Sequence, residues 1–169
     1  PNWTTPPGDF TFKGVESFTL QYPDGPHDVE TLLYDPLNDE LVVVTKDFSG
    51  DSSIYAIHIK ALESGAKLVH VGDIKFGTPP LIGGTTTTGG DVGPKGHYIL
   101  IRTYTHIFQW LRTDNSSIAQ TLQTTPCVIY PASEPQGEAI GFTAQGGSFY
   151  TLSEGTGQPL HLYRSNTLP

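Results

Sequence analysis

Charged residues recur at corresponding places in two similar stretches of the sequence, within residues 27–46 and 134–154. When the two stretches are aligned without a gap, Glu30 falls on Glu138 and Lys46 falls on Glu154. Carboxylates and a lysine gathered at one opening could hold a hard cation, support metal-assisted hydrolysis, or pair with one another. Each of these chemistries requires that distant parts of the chain bring the side chains together.

The segments between these charged residues are typical of β-hairpins. Each copy has an apolar stretch, a turn rich in Asp, Asn, Pro or Gly, and a second apolar stretch. Apolar residues around such a turn favour two antiparallel strands. The composition also favours an all-β protein, because Gly 19 and Pro 14 are numerous and Met is absent.

A four-stranded unit recurs along the chain. The third strand of each unit is expected to begin at Ile54, Ile107 or Leu160, which are equally spaced. Four strands in about 40 to 50 residues are typical of a β-propeller blade. A β-sandwich also has short strands and regular turns, but the equal spacing and the gapless match favour a propeller. About four to eight blades close a propeller ring, so three blades predict a part of a larger ring with open edges.

We therefore predict an irregular lead-in at residues 1–9 and a propeller segment at residues 10–169. The ranges within the propeller segment are an outer strand of a preceding blade at 10–22 and blades at 27–76, 85–125 and 134–165. In the second of these blades, residues 117–124 are predicted to form the fourth strand.

The bulk properties exclude some classes of protein and favour secretion. A net charge of -8 without a Lys/Arg cluster argues against nucleic-acid binding. No apolar run reaches the roughly 18 residues that span a bilayer. The chain opens with no signal peptide, and its start at Pro1 suggests a processed product. Asn2 and Asn115 lie in glycosylation sequons, which predicts a secreted glycoprotein. The single Cys127 is expected to be a buried, inert thiol.

Three longer segments resemble a family of largely uncharacterised secreted propeller proteins found in bacteria and eukaryotes. The segments are YPDGPHDVETLLYDP at 22–36, TGGDVGPKGHYILIRTYTHIFQW at 88–110 and EPQGEAIGFTAQGGSFYTLSEG at 134–155. The resemblance implies a six-bladed ring of which this chain is the C-terminal half. It also implies that the N-terminal blades are missing here, and it supplies no function, because propellers host enzymes and binding modules alike.

In a propeller, the inner strand of each blade starts at the mouth of the central channel, so equivalent residues converge there. Glu30 and Glu138 have this position, and Thr88 matches them when Pro94 is set on Pro36. Thr103 is taken as the match of Lys46 and Glu154 at the other end of the hairpin. The channel-mouth candidates are Glu30, Lys46, Asp91, Arg102, Glu138 and Glu154.

Three interpretations of these candidates stay open. Glu30, Asp91 and Glu138 could supply oxygen ligands to calcium. A metal-dependent hydrolase or lactonase could use the same residues, by analogy with gluconolactonase-like propellers. Alternatively, Lys46 and Arg102 could pair with the carboxylates and tie adjacent blades together, and their positive charge argues against a dense cation site.

The sequence favours a binding or structural scaffold over an enzyme. It has no His-x-x-x-His pair for zinc and no Gly-x-Ser-x-Gly nucleophile motif. The expected partners are the missing blades, another chain that completes the ring, or further copies of the same chain. The metal-dependent hydrolase at the channel mouth is the alternative function.

Overall fold

The computed structural model describes residues 14–76, 84–113 and 116–164. Three antiparallel sheets account for nearly all of the regular structure, and we call them blades 1, 2 and 3. Blade 1 contains β1 (Val29–Asp35), β2 (Glu40–Thr45), β3 (Asp51–His58) and β4 (Val69–Lys75). Blade 2 contains β5 (Thr87–Val92), β6 (Tyr98–Thr103), β7 (Ile107–Leu111) and β8 (Cys127–Ile129). Blade 3 contains β9 (Gly137–Phe142), β10 (Ser148–Ser153) and β11 (Leu160–Arg164).

Each blade is a meander, because strands that follow one another in the chain are hydrogen-bonded neighbours. The inner strands β1, β5 and β9 lie side by side, with β5 between the other two. The all-β fold and the three predicted blades are therefore confirmed. The predicted third strands correspond to β3, β7 and β11.

Alternation along the strands builds two cores, one between each pair of neighbouring blades. On β6, Ile99 and Ile101 pack with Leu33 and Val42 of blade 1, whereas Leu100 packs with Phe149 of blade 3. Both faces of β6 are thus buried, which explains why Ile99, Leu100 and Ile101 follow one another without a polar residue between them.

Glycines allow β5 to approach both neighbouring inner strands closely. A Cβ atom at Gly90 would lie 2.9 Å from Cγ2 of Thr31 in blade 1, and one at Gly89 would collide with the carbonyl oxygen of Glu138 in blade 3. The two glycines of β5 are therefore needed for close contact between blades.

The prediction of a strand at residues 117–124 is wrong. Residues Ile118–Leu122 form helix α1, and the fourth strand of blade 2 is β8. Ser117 caps the helix by accepting a hydrogen bond from the Gln120 backbone, while the Gln120 side chain accepts one from the Ser117 backbone. This capping box is a sequence signal for a helix start and outweighs the alternating pattern. Cys127 is exposed, so the prediction that it is buried is also wrong.

The segment before β1 packs against the outer face of blade 1. The Gln21 backbone N–H donates to the Ala66 carbonyl at 2.9 Å, and Leu20 and Tyr22 pack near the buried Tyr55. The assignment of residues 10–22 to a preceding blade stays a prediction, and its first four residues lie outside the described ranges. The lead-in 1–9, Asn2 and Asn115 also lie outside them. Neither helix in the described ranges has the length and apolar character required to cross a bilayer.

Candidate functional site

The inner strand of every blade carries a β-bulge at the same place. In β1 the register shifts between Val29 and Thr31, and in β5 it shifts between Thr87 and Gly89. In blade 3, Gly137 and Ala139 pair with consecutive residues of β10. The bulged residues that are skipped by these pairings are Glu30, Thr88 and Glu138. A bulge leaves one residue without a partner and redirects its side chain, so the structure places these three at equivalent sites.

At the bulge of blade 1, Lys46 joins Glu30 to the neighbouring blade. Its Nζ lies 2.6 Å from Oε1 of Glu30 and donates a second hydrogen bond of 3.0 Å to the Tyr104 hydroxyl. Burial opposes the charge on Lys46, but the hydrogen bonds to Glu30 and Tyr104 outweigh it and raise the pKa of Lys46. Lys46 is therefore a charged tie between blades 1 and 2.

The structure corrects the residue that corresponds to Lys46 in blade 2. Thr45 and Thr103 have equivalent pairings, opposite Val29 and Thr87 respectively. The counterpart of Lys46 is thus Tyr104, one position after the Thr103 that the sequence comparison chose. The matched prolines indicate the same residue, because Lys46 lies ten positions after Pro36 and Tyr104 lies ten positions after Pro94.

In blade 3, Glu154 has the position of Lys46, and the Gln136 amide joins it to Glu138. Nε2 of Gln136 donates to Glu138 at 2.9 Å and to Glu154 at 2.6 Å. A neutral amide holds the two carboxylates in place but leaves their negative charge uncompensated. No Lys or Arg of the described residues lies within salt-bridge distance of either carboxylate. Blade 3 therefore has two negative charges at the positions where Glu30 and Lys46 neutralise each other in blade 1.

Arg102 is buried between blades 2 and 3 and joins them. Its Nη2 lies 2.8 Å from Oε2 of Glu134, and both side chains are almost fully buried. These two atoms are in ionic contact without an aligned hydrogen bond, but Nη1 donates to the Ala139 carbonyl at 3.1 Å. Oε1 of Glu134 accepts a short hydrogen bond from Thr151. Arg102 thus has the blade-joining contacts of the salt-bridge interpretation, and Glu134 is a partner that the sequence analysis missed.

Another buried ion pair, formed by Arg112 and Asp35, joins blade 2 to blade 1. Arg112 donates two hydrogen bonds to the Asp35 carboxylate, at 2.7 and 2.9 Å, and neither side chain is exposed. Burial opposes the charge on Asp35, but Arg112 and the backbone N–H groups of Leu37 and Asn38 hold its pKa below the usual value. The sequence analysis did not select either residue, because they are separated by 77 positions.

Asp91 does not reach the bulges. Its carboxylate accepts hydrogen bonds from the backbone N–H groups of Val92 and Phe142, at 2.8 and 2.7 Å. It lies three residues beyond Thr88 along β5, about 10 Å at the usual rise of a strand. Asp91 therefore helps to hold β9 against β5.

The described contacts of these side chains join strands and neighbouring blades. Within the described ranges, no group of three or more His, Cys, Asp and Glu side chains is placed to hold a metal. Glu30, Asp91 and Glu138 each have different hydrogen-bond partners in different places. The predicted ligands are thus not brought together.

We expect calcium to change the melting temperature of the protein very little. Glu30 is neutralised by Lys46, and the Glu138–Glu154 pair alone offers fewer oxygen ligands than calcium requires. The measurement is thermal unfolding during a calcium titration, with sodium chloride of equal ionic strength as the control. A large rise that EDTA reverses would contradict the expectation and restore the ion site.

Solved structures resemble this chain in fold. Sqt1 of Saccharomyces cerevisiae matches with a TM-score of 0.54 and 10% identity, over 83% of this chain and 32% of that chain. A proposed 6-phosphogluconolactonase from Bacteroides uniformis matches with a TM-score of 0.53 and 12% identity, over 89% of this chain and 42% of that chain. The fold is that of three β-propeller blades. At these identities the similarity shows the fold alone.

A nidogen/laminin complex is a weaker match, with a TM-score of 0.49 and 14% identity, over 80% of this chain and 44% of that chain. No family model and no curated protein matches the sequence. The chain spans less than half the length of each of these three structures.

Proposed function

We propose that this chain is part of a secreted β-propeller that acts as a binding and assembly scaffold, and that further blades complete its ring. The observation that carries the proposal is that both terminal blades have an open apolar face. In a closed ring each such face would lie against a neighbouring blade. The occupant that we propose is therefore another blade of the same architecture, supplied by a longer chain or a second chain.

The open face of blade 3 is formed by four apolar side chains. Phe149, Thr151 and Ser153 of β10 are buried, and the residues between them point to the opposite face. The two residues on that opposite face, Tyr150 and Leu152, pair with Leu162 and Leu160 of β11. The open face consists of Tyr150, Leu152, Leu160 and Leu162, all of which are exposed. A contiguous apolar face of this kind is typical of an interaction surface.

Blade 1 has the complementary opening at the other end of the segment. Leu32 and Tyr34 of β1 are 59% and 49% exposed, because the buried residues of this strand face blade 2. The segment before β1 covers the outer part of this face at Tyr55 and Ile57. The uncovered part therefore lies on the inner strand, where a preceding blade would pack.

The charges at the bulges support the same occupant. Lys46 reaches from blade 1 to Tyr104, its counterpart in the next blade. By the same geometry, Glu154 is directed towards the blade that would follow blade 3. A Lys or Arg from that blade would neutralise the Glu138–Glu154 pair. The sequons at Asn2 and Asn115 and the family resemblance support secretion.

Light scattering on the purified chain tests the proposal, because uncovered apolar faces favour association. We expect the chain to be dimeric or larger at micromolar concentration. Replacement of Leu160 by Lys should shift it towards the monomer, since a charged residue would oppose burial of the open face. A wild-type chain that stays monomeric would overturn the proposal.

Leu111→Lys is the matched control for this substitution. Leu111 and Leu160 are 64% and 63% exposed, but Leu111 belongs to blade 2, which has a blade on each side. This variant should associate as the wild type does. Equal effects of the two substitutions would show that general surface charge, rather than the open face of blade 3, controls association.

The metal-dependent hydrolase has no comparable support. Its proposed ligands Glu30, Asp91 and Glu138 have separate partners in the described structure. The match to the proposed lactonase concerns the fold and carries no information on its substrate site.

A further inference from the structure

A cleft lies between blades 2 and 3, at the end opposite to the bulges. Its volume is about 480 Å³, which is in the range of small-molecule binding pockets. The turn that joins β5 to β6 and the turn that joins β9 to β10, which we call its rim, line it together with Ile129 and Tyr163. All of its described lining belongs to blades 2 and 3.

The equivalent space between blades 1 and 2 is filled by the protein itself. Helix α1 inserts Ile118 and Leu122 into the core there, and the Asp35 carboxylate binds Arg112. The residue of blade 2 that corresponds to Asp35 is Gly93, which has no side chain. The described lining of the cleft therefore lacks the carboxylate that the interface between blades 1 and 2 contains.

The walls of the cleft are aromatic. Phe149 and Tyr163 stack with their ring centroids 4.7 Å apart and their planes at 6°. Phe142 meets Phe149 edge to face, and Tyr98 lines the side that blade 2 contributes. Such surfaces favour a flat, apolar ring, which can stack on one aromatic face and meet another at its edge.

The charged groups at the cleft are all basic. Lys95 and Arg164 line it together with His97, and no Asp or Glu is among the described lining residues. Neither Lys95 nor Arg164 forms a salt bridge within the described part of the chain. The net charge of the whole chain is -8, so this concentration of positive charge runs against the composition. It favours an anionic group on the bound molecule.

We propose that this cleft binds a small aromatic carboxylate. The carboxylate would be held by Arg164 and Lys95, and the ring would lie against Tyr98, Phe142 and Tyr163. The ligand anion would supply at this interface the negative charge that Asp35 supplies between blades 1 and 2.

Calorimetric titration with indole-3-acetate and its neutral analogue indole-3-acetamide tests the proposal. The two probes have the same ring, so their difference isolates the charge. We expect the acid to bind about tenfold more tightly or better, the usual effect of a hydrogen bond to a charged group. Added salt should reduce this difference, because the cations are exposed.

Two substitutions in the cleft distinguish the contact with the carboxylate from the contact with the ring. Arg164→Gln should weaken the acid about tenfold and leave the amide unchanged. Tyr98→Ala should weaken both probes, since both stack with the same ring. Lys60→Gln, in a distant turn of blade 1, removes an equal charge and should change neither affinity.

The location is read from amide chemical shifts, which should change at Gly93, Gly146 and Gly147 on the rim. Equal affinity for acid and amide, no binding of either probe at millimolar concentration, or an unchanged affinity in Arg164→Gln would overturn the proposal. Unfolding curves of each variant confirm that the fold is intact. The oligomeric state can fail its own test without affecting this result.

Discussion

Asp35→Ala is expected to lower the free energy of unfolding by about 3 to 5 kcal/mol. The Asp35 carboxylate is the partner of a guanidinium that has no exposure, and it also accepts backbone hydrogen bonds in the turn after β1. Its removal would leave the charge of Arg112 buried and unpaired between blades 1 and 2. Urea unfolding followed by fluorescence of Trp110, which lies in the same core, measures the effect.

The double variant Asp35→Leu with Arg112→Leu is the control. Removal of both charges leaves no unpaired ion, so the double variant should be more stable than Asp35→Ala. If the double variant is the less stable of the two, buried charge is not the cause of the loss.

The same ion pair has a consequence for pH dependence. Because the folded pKa of Asp35 is below its unfolded value, its contribution to stability is present above about pH 4 and is lost as the pH falls through the lowered pKa. The double variant should lack this part of the acid sensitivity.

The second large effect is expected from Gly137→Ala. A Cβ atom at this position would lie 2.6 Å from Cζ of Arg102 and closer still to one of its terminal nitrogens. The guanidinium would have to move away from Glu134, and both groups are buried between blades 2 and 3. We expect a loss of about 3 kcal/mol or more, similar to that of a broken buried pair.

Gly141→Ala is the matched control, because it lies on the same strand β9. A Cβ atom there would be 3.8 Å from its nearest neighbour, the Asp91 carboxylate, which is an ordinary contact. Its stability in urea should stay close to that of the wild type. Equal losses in the two variants would attribute the effect to the strand rather than to Arg102.

The strands and their order could be predicted from the sequence because alternation and turn residues are local signals. Ile54, Ile107 and Leu160 mark the repeat, and β3, β7 and β11 contain them. The wrong prediction of a strand at residues 117–124 came from the same alternation of apolar and polar residues. There a short capped helix places Ile118 and Leu122 in the core, where a strand would have exposed alternate residues.

The alignment of the blades set Glu30, Thr88 and Glu138 at equivalent positions, and the structure adds that each is a bulged residue. It could not predict which charges meet across blades. Arg112 and Asp35 belong to different blades and have no common motif, and Glu134 lies in the loop before β9. Such pairs depend on how one sheet packs on another, and local sequence patterns contain no information about that packing.

Because the bulge recurs on every described inner strand, the residue at the bulge can differ from one blade to the next. The bulged residue is outside the ladder pairing, so the backbone hydrogen bonds within each sheet do not involve its side chain. One blade carries a carboxylate with an ammonium partner, the next a hydroxyl, and the third a carboxylate with an amide. One backbone geometry thus accommodates three different polar groups, and the residue at each bulge can change without altering the ladder of its own blade.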